Sequence, residues 1–428
     1  MLLMSMRMGT SILTGANNLV PEKLVGTEVN SHVIEPFIDA LALRAVLYRL
    51  NDELTLADNE KLLLAAAPEL NRSSELNRSE EALTEALFKL FLPDTGFLSG
   101  RAGPEQTPQY EADRRPTSDA TAGFWVGKGA IRARDAFHDA VLRIEQAVQG
   151  RGYQLLSLAD ASAQALRVFT LSPDGIAFRY ALKALNPFAV TGVDYTPHNQ
   201  NGELQVYDPA TGEGSLTDKW IEDRAEMLEV LMKRNTQDTN FAPYPADKIY
   251  SDATRRIVLR PENSGHVADA LQKQIRFGSA QGESLQGGNL ADHLYGGEGK
   301  DHLSGKAGND YLQGDKGDDL IHGGDQDDIL IGGKGNDVLD GGLGNDTCEW
   351  RKGEGFDTIL DACEGGDGAK AGVIEFLGQS VAGTKAQLQP DNFNLCTNIK
   401  PGEPGNRKSH RSASGTDARL ETNDRKAA

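Results

Sequence analysis

Cysteine is nearly absent: Cys348, Cys363 and Cys396 are the only three in 428 residues, and all fall late in the chain. So small and odd a number is no disulfide framework, and covalent staples do not organise the fold. Long apolar runs are lacking too; nothing approaches the roughly 20 residues that a membrane-spanning helix needs. Positive charge is scarce, with 44 Lys and Arg against 63 Asp and Glu and a formal net charge of −19. That balance argues against nucleic acid or an anionic membrane surface as partner and favours hard cations. The opening "MLLMSMRMGTSILTG" has no basic stretch ahead of an unbroken apolar run. No cleaved signal peptide is expected, and export would need another route.

Catalytic signatures are missing as well. A nucleophile elbow, G-x-S-x-G, occurs nowhere, and "GQSVAG" at 378–383 misses its spacing. The metalloprotease helix motif H-E-x-x-H is also absent. No catalytic residue and no organic cofactor are therefore expected in this chain.

What is present begins with ordinary amphipathic helices. From about Asp39, Leu43, Val46, Leu47 and Leu50 recur at helical spacing. Leu83, Leu87, Leu90 and Phe91 do the same in "SEEALTEALFKLFL", with Ser79 as the expected N-cap. Phe137, Val141, Ile144 and Val148 form a third stripe, with His138 off it and solvated. Ile221, Ala225, Leu228 and Met232 form a fourth over Asp218 to Arg234, capped by Ser215 or Thr217. Between these lie a proline-bearing polar linker and a turn-rich stretch with a short strand expected at Glu203 to Tyr207.

From Gly278 the composition changes. Folded at nine from Gly287, the rows read GGNLADHLY, GGEGKDHLS, GKAGNDYLQ, GDKGDDLIH, GGDQDDILI, GGKGNDVLD and GGLGNDTCE. Position one is always glycine. Position six is always aspartate: Asp292, Asp301, Asp310, Asp319, Asp328, Asp337 and Asp346. Position eight is Leu or Ile until Cys348. A degenerate row, GSAQGESLQ, leads in with Glu283 at position six. Between Gly287 and Asp346 there are 13 acids and 4 lysines, a net of −9.

Glycine lets the first six residues of a row turn back and bares carbonyl oxygens. Calcium takes six to eight oxygens in flexible carbonyl and carboxylate cages. Magnesium fits such a cage poorly, and His293, His302 and His322 show no zinc register. Positions seven to nine are expected to form a short strand with position eight inward. Two rows then make one coil, and row n faces row n+2. Cations between coils would draw on the pairs 292/310, 301/319, 310/328, 319/337 and 328/346, up to about five sites. Carbonyl or turn contributions are expected from Gly296, Gly297, Gly299, Gly305, Gly308, Gly314, Gly317, Gly332, Gly333 and Gly335. One aliphatic side chain per nine residues cannot offset the entropy of ordering them, so ion binding is expected to supply the folding energy. Lys306, Asp315, Leu290 and Gln326 replace turn glycines, and those turns are expected to bind more weakly.

The pattern GGxGxDxUx resembles the RTX, or hemolysin-type calcium-binding, repeat, whose fold is a parallel β-helix. "GEGFDTILD" is similar to the coda that closes such blocks, with Asp357 as a last candidate ligand. Apolar Val373, Ile374, Phe376 and Leu377 are expected to cap the open end. Upstream, "FRYALKALNPFAVTGVDY" and "VNSHVIEPFIDALALRAVLYRL" resemble segments of lipase-like RTX hydrolases, in which His32 would occupy the catalytic histidine's place. Without a nucleophile, the chain reads as the detached C-terminal part of such a protein. Asp208-Pro209 matches the bond at which some RTX proteins cut themselves when calcium binds, but "YDPATGEG" suits a β-turn in a hairpin-like loop, which is the reading preferred. The resemblance implies a secreted protein that leaves through a type I secretion apparatus. The basic tail from Lys400 does not resemble the usual export signal.

The expected fold is α+β and multidomain, an α-rich N-terminal region followed by a parallel β-roll. A helical region spans 1–97, a linker 98–118 and a mixed, mainly helical pre-repeat domain 119–277. The calcium-binding β-roll follows at 278–361, a cap at 362–399 and a disordered tail at 400–428.

Overall fold

The computed structural model describes residues 31–66, 76–93, 128–172, 174–208, 211, 213–236, 247–260, 269–350, 355, 357–361, 373–376, 379–380 and 393–397. The expected linker and tail lie outside the described residues. The chain divides into two compact units, Met1–Asn201 with Arg224–Thr239, and Gly202–Asp223 with Asn240–Ala428.

The first unit is mainly helical. Its helices are α1 (Ser31–Leu50), α2 (Leu56–Ala65), α3 (Leu76–Phe91), α4 (Lys128–Val148), α5 (Ala163–Thr170) and α6 (Gly175–Ala184). The later part of α7 (Asp218–Thr236) also belongs to it. The apolar stripes become its core: Leu43, Leu47, Leu83, Leu87, Ile144 and Leu228 are fully buried. Thr55 starts α2 with a capping box, its side chain taking the Asp58 N–H while the Asp58 carboxylate takes the Thr55 N–H. Strands β1 (Gln154–Ser157) and β2 (Phe188–Thr191) pair antiparallel beside the helices.

Three sequence expectations change here. Helix α1 starts at Ser31, well before Asp39; Val33, Ile34, Phe37 and Ile38 already keep helical spacing, but Pro36 among them reads in sequence as a break. Helix α3 starts at Leu76, so Ser79 lies inside it and is not its N-cap. Glu203–Tyr207 is not a strand; only isolated bridges form, Val206 with Leu216 and Asp208 with Glu213. The Thr217 hydroxyl does cap α7, accepting the Trp220 N–H at 3.1 Å.

The second unit is built around a parallel solenoid of about four turns. Strands β3 (Lys248–Asp252), β4 (Ile257–Leu259), β5 (Lys273–Phe277) and β6 (Ser284–Gln286) precede the regular block. Six six-residue strands follow: β7 (His293–Glu298), β8 (His302–Ala307), β9 (Tyr311–Lys316), β10 (Leu320–Asp325), β11 (Ile329–Lys334) and β12 (Val338–Leu343). Then come β13 (Thr347–Trp350), β14 (Asp357–Asp361), β15 (Val373–Phe376), β16 (Gln379–Ser380) and β17 (Phe393–Thr397). One sheet runs β17-β14-β12-β10-β8-β6, and the other runs β16-β15-β13-β11-β9-β7-β5-β3-β4. Alternate strands thus stack on alternate faces, as two rows per coil require. Leu312, Leu330 and Cys348 lie in register on one face, and Leu303, Ile321, Leu339 and Ile359 on the other.

The strands are twice as long as expected. Each continues from positions seven to nine through positions one to three of the next row, leaving only three residues for each turn. The double glycine does not end the strand; it bends it, and pairing lapses at position one, where Gly323 and Gly341 have no register partner between His322↔Asp340 and Gly324↔Gly342. The stack also begins upstream of Gly278, where the period starts, because β5 and β3 extend the second sheet in parallel. Beyond the repeat, β15 adds to β13 and β17 to β14, so the 362–399 segment lengthens both sheets. The side chains of Val373, Ile374 and Phe376, and all of Leu377, lie outside the described residues.

A single file fills the interior: Leu285, Leu294, Leu303, Leu312, Ile321, Leu330, Leu339, Cys348 and Ile359. With so thin a core, each member touches its neighbours in the coils above and below. Leu330→Ala is expected to cost about 2–5 kcal/mol. Urea denaturation of the folded protein, followed by far-UV circular dichroism, measures it.

Candidate metal centre

The turns that join the strands carry the position-six aspartates. All seven, and Asp357, are buried to 4% exposure or less. Their carboxylates form two ladders, one along each edge. In each rung the backbone N–H of one aspartate donates to the Oδ1 of the aspartate one coil on. Asp292 donates to Asp310 at 2.7 Å, Asp301 to Asp319 at 2.8 Å, Asp310 to Asp328 at 2.8 Å, Asp319 to Asp337 at 2.8 Å and Asp328 to Asp346 at 3.0 Å. These are the five pairs expected from the period. Asp337 continues the ladder to Asp357 at 3.0 Å, across a step of 20 residues instead of 18. Asp357 of the coda thus joins the same ladder.

Oδ1 is thus spoken for. In Asp301, Asp310, Asp319 and Asp328 the buried Oδ2 accepts no hydrogen bond. A buried carboxylate oxygen without a donor is costly, and here two stack on each edge, Asp301 over Asp319 and Asp310 over Asp328. Each such oxygen lies against the position-one glycine of its own row. A methyl group at Gly296 would lie 2.7 Å from Asp301 Oδ2 and 2.6 Å from the Gly314 carbonyl oxygen. At Gly314 it would lie 2.5 Å from the Gly332 carbonyl oxygen and would meet Asp319 Oδ2. Gly305 and Gly332 lie in the same way against Asp310 and Asp337. Glycine is required here by crowding, not by φ.

At positions two and four it is required by φ. Gly297, Gly299, Gly308, Gly317, Gly333 and Gly335 all have φ between +98° and +150°. Three replacements adopt the same left-handed region: Lys306 at +81°, Asp315 at +74° and Gln326 at +81°. The stack imposes the turn on residues that disfavour it, so these substitutions leave the turn geometry in place.

The lead-in and first row differ in a way the motif does not show. The Glu283 carboxylate is taken up by Ser279, through its backbone N–H at 3.0 Å and its hydroxyl. Asp292 Oδ2 accepts the Gly288 N–H. Gly288 is not left-handed, and Leu290 stands where later turns have glycine, so this turn closes on its own carboxylate. Asp292 carries the motif but lacks the open oxygen.

Burial raises the carboxyl pKa values well above the usual carboxylate range. Asp310 and Asp319 rise to about 7, Asp328 to about 8 and Asp357 to about 6; burial is the main cause, the ladder N–H opposes it, and neighbouring aspartates add to the rise for the first three. Asp292 and Asp301 are raised by burial as well.

Among the described residues no three acidic, histidine or cysteine side chains converge as a metal cluster. The donor set is one carboxylate oxygen per turn amid backbone carbonyls, which fits a hard cation with many oxygen ligands and not zinc. His32 lies in the first turn of α1, and its side chain is outside the described residues. Asp208 forms a turn, donating its N–H to the Glu213 carbonyl at 2.8 Å and accepting from the Thr211 hydroxyl at 3.2 Å. Pro209 is outside the described residues. No helix among the described residues is long and apolar enough to cross a membrane.

The family model of the RTX calcium-binding nonapeptide repeat matches residues 277–312 and 313–348. The chain carries RTX calcium-binding repeats. They form a β-roll with stacked aspartates, of a kind typical of secreted bacterial proteins. No curated protein and no solved structure matches the chain.

Two outcomes follow. Gly296→Ala should abolish the cooperative folding of the roll, seen as loss of its strand signal, because neither the carboxylate nor the neighbouring carbonyl can withdraw. The second concerns pH. An aspartate whose folded pKa exceeds the unfolded value of about 3.9 favours the folded state when protonated. The ion-free roll should therefore be most stable near pH 4 and lose stability as pH climbs through 6 to 8. Circular dichroism in chelator should show strand signal gained on acidification from pH 8 to pH 5.

Proposed function

We propose that the chain is a secreted-type calcium-responsive protein whose roll folds when calcium reaches it outside the cell. The observation that carries this reading is the succession of donorless Oδ2 atoms in Asp301, Asp310, Asp319 and Asp328. Asp337, Asp346 and Asp357 extend the same ladders. The backbone carbonyls of Gly296, Gly297, Gly299, Gly305, Gly308, Gly314, Gly317, Gly332, Gly333 and Gly335 would complete the oxygen coordination. Calcium, when bound, supplies the positive charge that lets the stacked carboxylates ionise together. The protein's own residues supply the carboxylate edge, a single-file core and turns that need no side chain. Asp292 is the weakest of the proposed ligands, because its Oδ2 is already bonded.

Extracellular calcium modules have Kd values of roughly 10⁻⁴–10⁻³ M. In a low-calcium cytosol such a roll stays unfolded, a state suited to passage through a type I secretion channel. Outside, millimolar calcium folds it. The proposal concerns calcium-driven folding; it gives the chain no hydrolytic activity.

Titrating the full chain with calcium under far-UV circular dichroism tests this. Strand signal should appear and saturate near millimolar calcium, and magnesium at the same concentration should not reproduce it. No gain with calcium, or an equal gain with magnesium, would overturn the reading. Asp319→Asn should raise the calcium midpoint severalfold, whereas Asp292→Asn should move it much less.

A further inference from the structure

The repeat motif makes no demand on the outward positions seven and nine. In two successive rows of one sheet, however, those positions hold polar side chains that are almost wholly buried: His293 at 6% exposure, Tyr295 at 1% and Gln313 at 2%. The segment Gly202–Asp223, part of the same compact unit, meets them. Trp220 packs edge-on against Phe277 of β5 at 6.1 Å between centroids. The Asp223 carboxylate accepts from the Tyr295 hydroxyl at 2.6 Å and lies 2.6 Å from His293 Nδ1, both on β7. Thr217 donates to Gln313 of β9 at 3.1 Å, and Lys316 of β9 bridges Glu203 at 3.1 Å and Glu298 at 3.0 Å.

We propose that residues 202–223 form a strap whose docking on the β5-β7-β9 face is coupled to calcium loading of the roll, so that each strengthens the other. The proposal rests on the calcium-folding reading above and adds a contact on the sheet face, made by residues that the motif leaves open.

The strap's partners are scattered along 40 residues of sequence, from Phe277 to Lys316. They become one surface only when consecutive coils stack. Phe277 and Tyr295 then lie in register, with their rings parallel at 4.9 Å, and Tyr311 extends the aromatic column 5.8 Å from Tyr295. An unfolded repeat block offers the strap nothing to bind. Asp223 is 2% exposed, so its carboxylate leaves water when the strap docks, and two donors on β7 compensate it. Lys273 Nζ lies 2.9 Å from His293 Nε2. With the lysine donating to Nε2, His293 keeps its proton on Nδ1 and gives it to Asp223. This chain of buried polar groups is satisfied only when complete, which makes docking all-or-none. Coupling between two binding events is reciprocal, so strap contacts must raise apparent calcium affinity without touching a calcium ligand.

The full chain carrying Trp125→Phe and Trp350→Phe leaves Trp220 as the only tryptophan and reports docking by its emission. In a calcium titration, the Trp220 signal and the strand signal should change with the same midpoint. In that background Asp223→Asn should raise the midpoint on the order of fivefold or more while reaching the same strand signal at saturation. If Asp223→Asn fails to fold at saturating calcium, Tyr295→Phe decides, since it removes one donor and leaves the Asp223–His293 contact. A Trp220 signal that is flat through the strand transition would overturn the strap while leaving calcium folding intact. A midpoint unmoved by the variant that folds would do the same. Absence of any strand transition would remove both readings.

Discussion

Everything in the roll is arranged around carboxylates that must stack without repelling one another. Successive coils of a parallel solenoid lie about 4.8 Å apart. Two unit charges at roughly 5 Å repel by about 3 kcal/mol even at an effective dielectric of 20. The ladder from each aspartate N–H to the next Oδ1 fixes where the carboxylates stand but leaves their charge unbalanced. Protons or cations must make up the difference. The same geometry therefore produces the elevated pKa values and the demand for calcium, and the two occupants compete.

Around that constraint the other residues divide the work. The single file from Leu285 to Ile359 sets register and excludes water, but it is too thin to hold the coils alone. Position-one glycines make room for Oδ2, and position-two and position-four glycines turn the chain. The stack is rigid enough to hold Lys306, Asp315 and Gln326 at positive φ, a conformation that costs about 1–2 kcal/mol per residue. Turn shape is thus dictated by the coils on either side more than by the local residue.

The period of nine made the roll legible: the five aspartate pairs, the inward file and the alternation of faces all follow from counting. What it could not show were features set by hydrogen bonding within a turn or by distant segments. Asp292 has the same motif position as Asp301, yet a differently shaped turn lets Gly288 occupy its free oxygen. Strand length was underestimated because a double glycine reads as a turn, whereas here it bends a strand that continues. The sheet's extension through β5 and β3 carries no glycine and no nine-residue period to announce it. Ser79 looked like a cap because an apolar stripe follows it, but α3 begins a turn earlier on residues without a stripe. The partners of the strap sit at positions the motif leaves open, and nothing in a one-dimensional pattern says which of them will be covered.

Pairing at a step of 18 residues also limits how such a block can change in length. Adding nine residues would carry every later strand to the opposite sheet and exchange the two edges, whereas adding 18 restores both. The strap is anchored to β5, β7 and β9, so whole coils can be gained or lost without disturbing it only downstream of Lys316. The upstream coils are committed to the strap, and the downstream coils carry no strap contact that a change in copy number would disturb.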